Sequence, residues 1–84
     1  MREIIVYTTE PCSFCRRVKG ILASHGAEFS EVNLSKDPVG RVELAQRTGM
    51  MTFPQVTVDG ELLGGFAEIA AADEDGTLGA MLSA

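Results

Sequence analysis

Residues 4–15 read Ile-Ile-Val-Tyr-Thr-Thr-Glu-Pro-Cys-Ser-Phe-Cys, and this stretch decides the fold. Its first four residues are apolar and mostly β-branched or aromatic, a pattern typical of a strand buried on both faces. Residues 8–11 end that strand, and two cysteines follow. Apolar residues then recur with helical spacing, at Phe14, Val18, Ile21 and Leu22. The sequence therefore predicts a strand followed by a helix, with the cysteines at their junction.

The middle of the chain predicts a second strand and a second helix. The strand is expected over residues 28–34, after Gly26 closes the first helix. Asp37 is the expected N-cap of the second helix, and Pro38 occupies its first position. Gly49 is expected to end that helix.

The last third of the chain predicts a hairpin and two further helices. Val56 and Val58 alternate with polar residues, and Asp59-Gly60 is a strong two-residue turn signal between two strands. Helices are expected over residues 66–72 and 77–82. The order β-α-β-α-β-β-α predicts an α/β fold: a mixed four-stranded sheet flanked by helices, with the first two strands parallel and the last two antiparallel.

Composition limits the class of protein. The chain has 84 residues, 45% of them hydrophobic and 23% charged, so we expect one globular domain over residues 1–84. Only two cysteines are present, which excludes a disulfide-stapled secreted scaffold and favours a reducing, cytoplasmic location. The net charge of −5 argues against nucleic acid and anionic membranes as partners. The apolar run near the N-terminus is too short for a signal-peptide core or a membrane span.

The two cysteines are expected to differ in role. Cys12 and Cys15 are three residues apart in the first turn of a helix, which puts them on one side and close enough to bond. Cys12 lies against the free N–H groups and the positive end of that helix, where a thiolate is stabilised. Cys15 lies nearer the apolar stripe and should be less exposed. We therefore predict that Cys12 attacks and Cys15 resolves.

Other interpretations of the pair are half a zinc site, an inert disulfide, or coincidence. A structural zinc site needs four ligands. The chain has no second cysteine pair, and its only histidine, His25, is a full helix away. Placement between a strand and a helix favours redox chemistry.

Two further motifs are candidate substrate contacts. Pro54 opens a strand, so the backbone of Phe53 is available to pair with an extended thiol peptide. The plainer interpretation is a proline that only starts an edge strand. Gly64-Gly65 permits close approach of a ligand at the start of a helix, although a turn with positive φ explains the pair equally well.

A basic trio follows the cysteines, at Arg16, Arg17 and Lys19. These cations could assist the thiolate or a substrate carboxylate. The alternative is a solvated helix face, which we weigh more heavily for Arg17 and Lys19.

Together these motifs resemble the glutaredoxin family of the thioredoxin fold. The resemblance covers nearly the whole chain and rests on four segments: Val-Tyr-Thr at residues 6–8, Cys12-Ser13-Phe14-Cys15, Thr52-Phe53-Pro54-Gln55 and Gly64-Gly65-Phe66. It implies a thiol–disulfide oxidoreductase that reduces protein disulfides and glutathione mixed disulfides, as a monomer, with glutathione as co-substrate and no tightly bound cofactor or metal. It also implies that Cys12 is the nucleophile and Cys15 the resolving thiol. The glutathione-binding residues that it implies are Arg41, Thr52, Phe53, Pro54, Gly65, Phe66 and Ala67, with Arg41 at the glycyl carboxylate and residues 65–67 at the γ-glutamyl end.

The chain departs from the family pattern at three positions. Thr9 stands where many glutaredoxins have lysine, Ala67 where a polar or acidic residue is common, and Phe53 where an aliphatic residue is usual. These departures leave two alternatives open. One is another low-molecular-weight thiol. The other is reduction by a thioredoxin-reductase-type enzyme, as in the glutaredoxin-like electron donors of ribonucleotide reductase.

The position between the cysteines supports a third alternative. Ser13 stands where proline is usual. Family members with serine there can hold a [2Fe–2S] cluster between two subunits, through the first cysteine and glutathione. A cluster carrier is therefore kept as a hypothesis from a different functional class.

Overall fold

A computed structural model describes residues 2–83, so Met1 and Ala84 of the predicted domain 1–84 lie outside the described residues. Within residues 2–83, four strands and four helices follow one another. They are β1 (Ile4–Thr8), α1 (Ser13–Ser24), β2 (Ser30–Asn33), α2 (Pro38–Thr48), β3 (Gln55–Val58), β4 (Glu61–Gly64), α3 (Phe66–Asp75) and α4 (Leu78–Leu82). The strand order in the sheet is β2-β1-β3-β4. β1 is parallel to β2 and antiparallel to β3, and β3 and β4 form the predicted hairpin.

The main core lies on one face of the sheet, under α1 and α3. Ile4 and Val6 of β1 stand opposite Val58 and Val56 of β3. The helices α1 and α3 contact each other over this face. The buried residues of this core are Ile4, Val6, Val18, Leu22, Val56, Val58, Ile69, Ala72 and Leu78.

The other face of the sheet is covered by α2. Tyr7 points to this side, where the guanidinium of Arg47 lies 6.0 Å from the centre of its ring. Tyr7 is only partly buried, so the prediction of a strand buried on both faces is wrong for this side of β1. Gln55 and Thr57 are buried rather than exposed, because they share the face that α2 covers.

Local signals position the second helix and the hairpin as predicted. Asp37 caps α2 by accepting a hydrogen bond of 2.8 Å from the N–H of Gly40, and Gly49 ends the helix with φ 77°. The turn residues Asp59 and Gly60 both have positive φ, 53° and 85°, as a type I′ turn requires.

Several predicted boundaries differ from those observed, and β1 continues one residue further than predicted, to Thr8. β2 is shorter than predicted, because it is an edge strand whose four residues are all exposed. α3 continues three residues further, to Asp75, and α4 begins one residue later, at Leu78. Phe14, whose spacing placed it in the apolar stripe, is 48% exposed. Its ring packs against the ring of Phe66 in α3 and does not belong to the main core.

None of the helices between residues 2 and 83 is long and apolar enough to cross a membrane.

Candidate active site

The two cysteines form a disulfide at the start of α1. Their Cα atoms are 5.3 Å apart, and the bond joins the N-cap residue, Cys12, to Cys15 in the first turn. Cys12 has extended backbone angles, and its Sγ accepts a hydrogen bond of 3.1 Å from the N–H of Cys15. Cys15 is 2% exposed, whereas Cys12 is partly exposed. The sulfur of Cys12 is therefore the accessible member of the pair and the one held at the helix N-terminus.

The loop before β3 lies beside the disulfide. The carbonyl oxygen of Phe53 is 4.0 Å from Sγ of Cys12, and the Phe53–Pro54 peptide bond is cis. The side chain of Gln55, which is 1% exposed, stabilises this loop by hydrogen bonds. Its Nε2 donates hydrogen bonds of 3.0 Å to the carbonyl oxygens of Met50 and Thr52. This support was missed in the sequence, because a polar residue alternating with valines predicts an exposed side chain.

The glycine pair brings the start of α3 to the same place. Gly64 has φ 136°, and a Cβ atom there would lie 2.6 Å from Cβ of Glu68. A Cβ at Gly65 would lie 3.1 Å from the carbonyl oxygen of Pro54, so this residue passes directly against the loop. The N–H of Gly65 donates a hydrogen bond of 2.7 Å to Oε1 of Glu68 and is thus used within the protein.

Two aromatic rings and a cation stand next to the disulfide. The rings of Phe14 and Phe66 have their centres 4.9 Å apart. The guanidinium of Arg17 lies 4.5 Å from the centre of the Phe66 ring and 5.7 Å from that of Phe14. Arg17 is therefore not merely a solvated side chain of the helix. Ala67 is exposed in the first turn of α3.

Arg41 of α2 contacts the backbone that follows β2. Its Nη1 donates hydrogen bonds of 2.6 Å and 3.0 Å to the carbonyl oxygens of Leu34 and Ser35, which ties α2 to the end of β2. Arg41 and Phe53 line the same groove, which runs between α2 and the loop before β3.

A charged cluster lines a second cleft, which also contains both cysteines. Glu31 of β2 accepts a hydrogen bond of 2.7 Å from the hydroxyl of Thr8 and pairs with Nζ of Lys19 at 3.0 Å. The Thr8 hydroxyl, followed by Lys19, lowers the pKa of Glu31 below its ordinary value. These three residues line one cleft together with Cys12 and Cys15. Sequence patterns gave no sign of Glu31, because its partners come from two other elements.

Within residues 2–83, no three His, Cys, Asp or Glu side chains gather closely enough to hold a metal ion.

Comparison with known proteins decides the family. A family model described as Glutaredoxin matches residues 4–63. The chain belongs to the glutaredoxin family. Glutaredoxin 3 of Escherichia coli K12 is 34% identical over 82 residues, covering 98% of this chain and 99% of the relative. A glutaredoxin of Pseudomonas aeruginosa is 36% identical over 84 residues, covering both chains completely.

Solved structures of glutaredoxins confirm the fold. A crystal structure of a buckwheat glutaredoxin–glutathione complex matches with a TM-score of 0.86 at 30% identity, over 96% of this chain and 76% of that one. A solution structure of a Brucella melitensis glutaredoxin matches with a TM-score of 0.84 at 38% identity, over 95% and 87% of the two chains. This glutaredoxin therefore has the predicted thioredoxin-like fold.

Its activity follows from the family. Glutaredoxins are thiol–disulfide oxidoreductases, and the disulfide between Cys12 and Cys15 is consistent with a dithiol active site. The predictions of the family, the fold and the enzyme class are confirmed. The names of these relatives do not favour an electron donor of ribonucleotide reductase or a cluster carrier.

Proposed function

We propose that Cys12 is the attacking thiol of this glutaredoxin, that Cys15 is the resolving thiol, and that glutathione supplies the electrons. One observation carries the assignment of roles: the N–H of Cys15 points at Sγ of Cys12 over 3.1 Å, while the sulfur of Cys15 belongs to a buried residue. A hydrogen bond from a backbone N–H and the positive end of α1 both favour the thiolate of Cys12.

The reaction is two successive thiol–disulfide exchanges. The Cys12 thiolate attacks one sulfur of a substrate disulfide, the substrate S–S bond breaks, and the leaving thiolate takes up a proton. Cys15 then loses its proton and attacks Sγ of Cys12, which restores the internal disulfide and releases the second substrate thiol. Two glutathione molecules reduce that disulfide and leave as oxidised glutathione. The substrate gains two electrons, and glutathione provides them.

The loop before β3 is the proposed binding edge for the substrate backbone. Phe53 lies beside Cys12 and would pair with an extended peptide, with Thr52 and Pro54 on either side. The likeness to a glutaredoxin solved as a glutathione complex supports glutathione as the occupant.

The two ends of glutathione are assigned to different elements. Gly65, Phe66 and Ala67 would receive its γ-glutamyl end, since Gly65 passes directly against Pro54. Arg41 would receive the glycyl carboxylate at the far end of the groove that it shares with Phe53. Its Nη1 is engaged with backbone carbonyls, so this contact falls to its other guanidinium nitrogens.

We further propose that the protein works as a single-domain monomer on protein disulfides as well as glutathione mixed disulfides. A reducing compartment such as the cytoplasm suits a protein whose two cysteines both belong to the redox pair.

The roles of the cysteines are tested with single substitutions. Cys12→Ser should abolish reduction of every disulfide substrate, because no other thiol is accessible at the helix start. Cys15→Ser should retain reduction of glutathione mixed disulfides and should accumulate a covalent complex with protein disulfides. Normal activity of Cys12→Ser would overturn the assignment.

The electron source is tested by NADPH consumption. The oxidised protein is offered either glutathione with glutathione reductase or a thioredoxin reductase. We expect turnover with glutathione. Turnover with thioredoxin reductase alone would contradict the proposed co-substrate and would favour the electron-donor alternative.

A further inference from the structure

The cleft that Glu31 and Lys19 line together with both cysteines contains equal numbers of positive and negative side chains. Four charged side chains line it together with both cysteines: Glu10, Arg16, Lys19 and Glu31. They come from the loop before α1, from α1 itself and from β2, and the two threonines that also line the cleft, Thr8 and Thr9, are neutral. Two positive and two negative groups therefore face the redox pair.

Lys19 is the cation that lies one helical turn after the resolving cysteine. It lies four residues after Cys15, on the same side of α1, where Cβ atoms are about 5–6 Å apart. A lone ammonium group at such a site would stabilise a thiolate in the cleft. However, its Nζ is paired with Oε1 of Glu31 at 3.0 Å.

Glu31 is fixed in that position by a second contact. Its Oε2 accepts a hydrogen bond from the hydroxyl of Thr8, which is 1% exposed at the end of β1. The same contacts lower the pKa of Glu31, so its carboxylate stays ionised at neutral pH. At neutral pH the charge of Lys19 is thus paired with the opposite charge of Glu31.

We infer that Glu31, by pairing with Lys19, sets the reduction potential of the Cys12–Cys15 couple. The reason is that only the reduced form carries a thiolate, whereas the disulfide is uncharged. A net charge in the cleft therefore acts on one side of the redox equilibrium, and a stabilised thiolate makes a disulfide easier to reduce. The inference rests on the proposed function in one respect, that these two cysteines are the working redox pair.

The test is the equilibrium of the whole protein with reduced and oxidised dithiothreitol at low ionic strength. Protein disulfide and dithiothreitol exchange to protein dithiol and cyclic oxidised dithiothreitol, with two electrons transferred. Alkylation followed by intact-mass measurement gives the reduced fraction. This reference couple needs no recognition of glutathione.

Two substitutions should shift the equilibrium in opposite directions. Glu31→Gln leaves the cleft with one excess positive charge and should raise the constant for reduction about threefold or more, which is about 14 mV when tenfold is 29.6 mV. Lys19→Met leaves one excess negative charge and should lower the constant by a similar factor. The double variant should lie close to the wild type, and both shifts should shrink at high salt.

Matched controls change the same charges elsewhere. Glu43→Gln and Lys36→Met alter exposed residues outside the cleft and should leave the constant within about 1.5-fold of wild type, because solvent and salt screen distant charges. Shifts of Glu31→Gln and Lys19→Met in the same direction, or no larger than those of the controls, would overturn the inference. Should one variant fail to fold by circular dichroism, the sign of the other decides.

Failure of this inference can be told apart from failure of the proposed function. Opposite shifts in a protein without glutathione-dependent turnover would support the inference and contradict glutathione as the electron source. Full turnover with an unshifted equilibrium would support the function and contradict the role of Glu31.

Discussion

The backbone N–H of Cys15 donates a hydrogen bond of 3.1 Å to Sγ of Cys12, the residue that caps the same helix. The contact uses one of the four N–H groups that lack a partner within a helix at its start. Because this donor belongs to the backbone, it remains in place in the Cys15→Ser variant. The attacking sulfur therefore keeps its stabilising partner when the resolving thiol is removed.

The first prediction concerns the reactivity of Cys12 in the reduced protein. Iodoacetamide should alkylate Cys12 well before Cys15, because thiolates react and Cys15 is 2% exposed. In Cys15→Ser, the rate should change little between pH 7 and pH 8.5, whereas an ordinary cysteine would speed up roughly tenfold or more over that range. Mass spectrometry of timed samples measures the rate. A rate that keeps rising up to about pH 8.5, the ordinary cysteine value, would refute a stabilised thiolate.

Two glycines should respond in opposite ways to the same substitution. Gly64→Ala should lower the free energy of unfolding by about 1–3 kcal/mol, because φ is positive there and the new Cβ meets Glu68. Gly20→Ala should raise it by about 0.5–1 kcal/mol, since Gly20 lies inside α1 with nothing within 4 Å of the new atom. Urea unfolding of both variants measures the difference. Equal effects would show that Gly64 imposes no special backbone geometry.

Gln55 should prove necessary for the loop that carries Phe53. In Gln55→Glu, a buried carboxylate would replace the amide that donates to the Met50 and Thr52 carbonyls, at a cost of about 1–3 kcal/mol or more. Burial beside two carbonyls favours the protonated acid, so the loss of stability should grow as the pH rises from 5 to 8. The KM for disulfide substrates should increase as the loop loosens. Gln46→Glu, the same change at an exposed position of α2, is the control for stability, which it should leave unchanged. It is not a control for KM, because Gln46 lines the groove shared by Arg41 and Phe53.

The interactions of Glu31 should make the free energy of unfolding depend on pH in a predictable direction. The pKa of Glu31 is lowered in the folded protein, so its contribution is fully present above the ordinary value of 4.5 and is lost as the pH falls through the lower folded-state pKa. The wild type should exceed Glu31→Gln by less than about 1 kcal/mol at pH 7, because the pair is partly exposed. Thr8→Val should lose part of the same pH-dependent difference, since the Thr8 hydroxyl is the largest cause of the shift. A difference that stays constant between pH 3 and pH 7 would contradict this assignment.

Local signals predicted most of the fold, and contacts between distant elements account for what they missed. The Asp37 cap and the Asp59-Gly60 turn need only neighbouring residues, so a single sequence shows them. The pairing of Glu31 with Lys19 depends on where β2 lies against α1, and no spacing in the sequence encodes that register. The burial of Gln55 likewise depends on α2 covering its side of the sheet. For the same reason the basic trio after Cys15 could be located in the sequence but not assigned partners.

The last prediction separates the two arginines that lie over aromatic rings. Arg17 stands over Phe66 beside the disulfide, whereas Arg47 stands over Tyr7 on the face covered by α2. If the γ-glutamyl carboxylate binds near Phe66, Arg17→Gln should raise the KM for glutathione mixed disulfides several-fold, roughly the effect of one charge-assisted contact at an exposed site, with kcat unchanged. Arg47→Gln removes the same charge from the other face and should leave KM unchanged. Because the Arg17 contact is electrostatic, high salt should reduce the difference between Arg17→Gln and wild type. A KM that rises equally in both variants would show that net charge, rather than the position of Arg17, attracts the substrate.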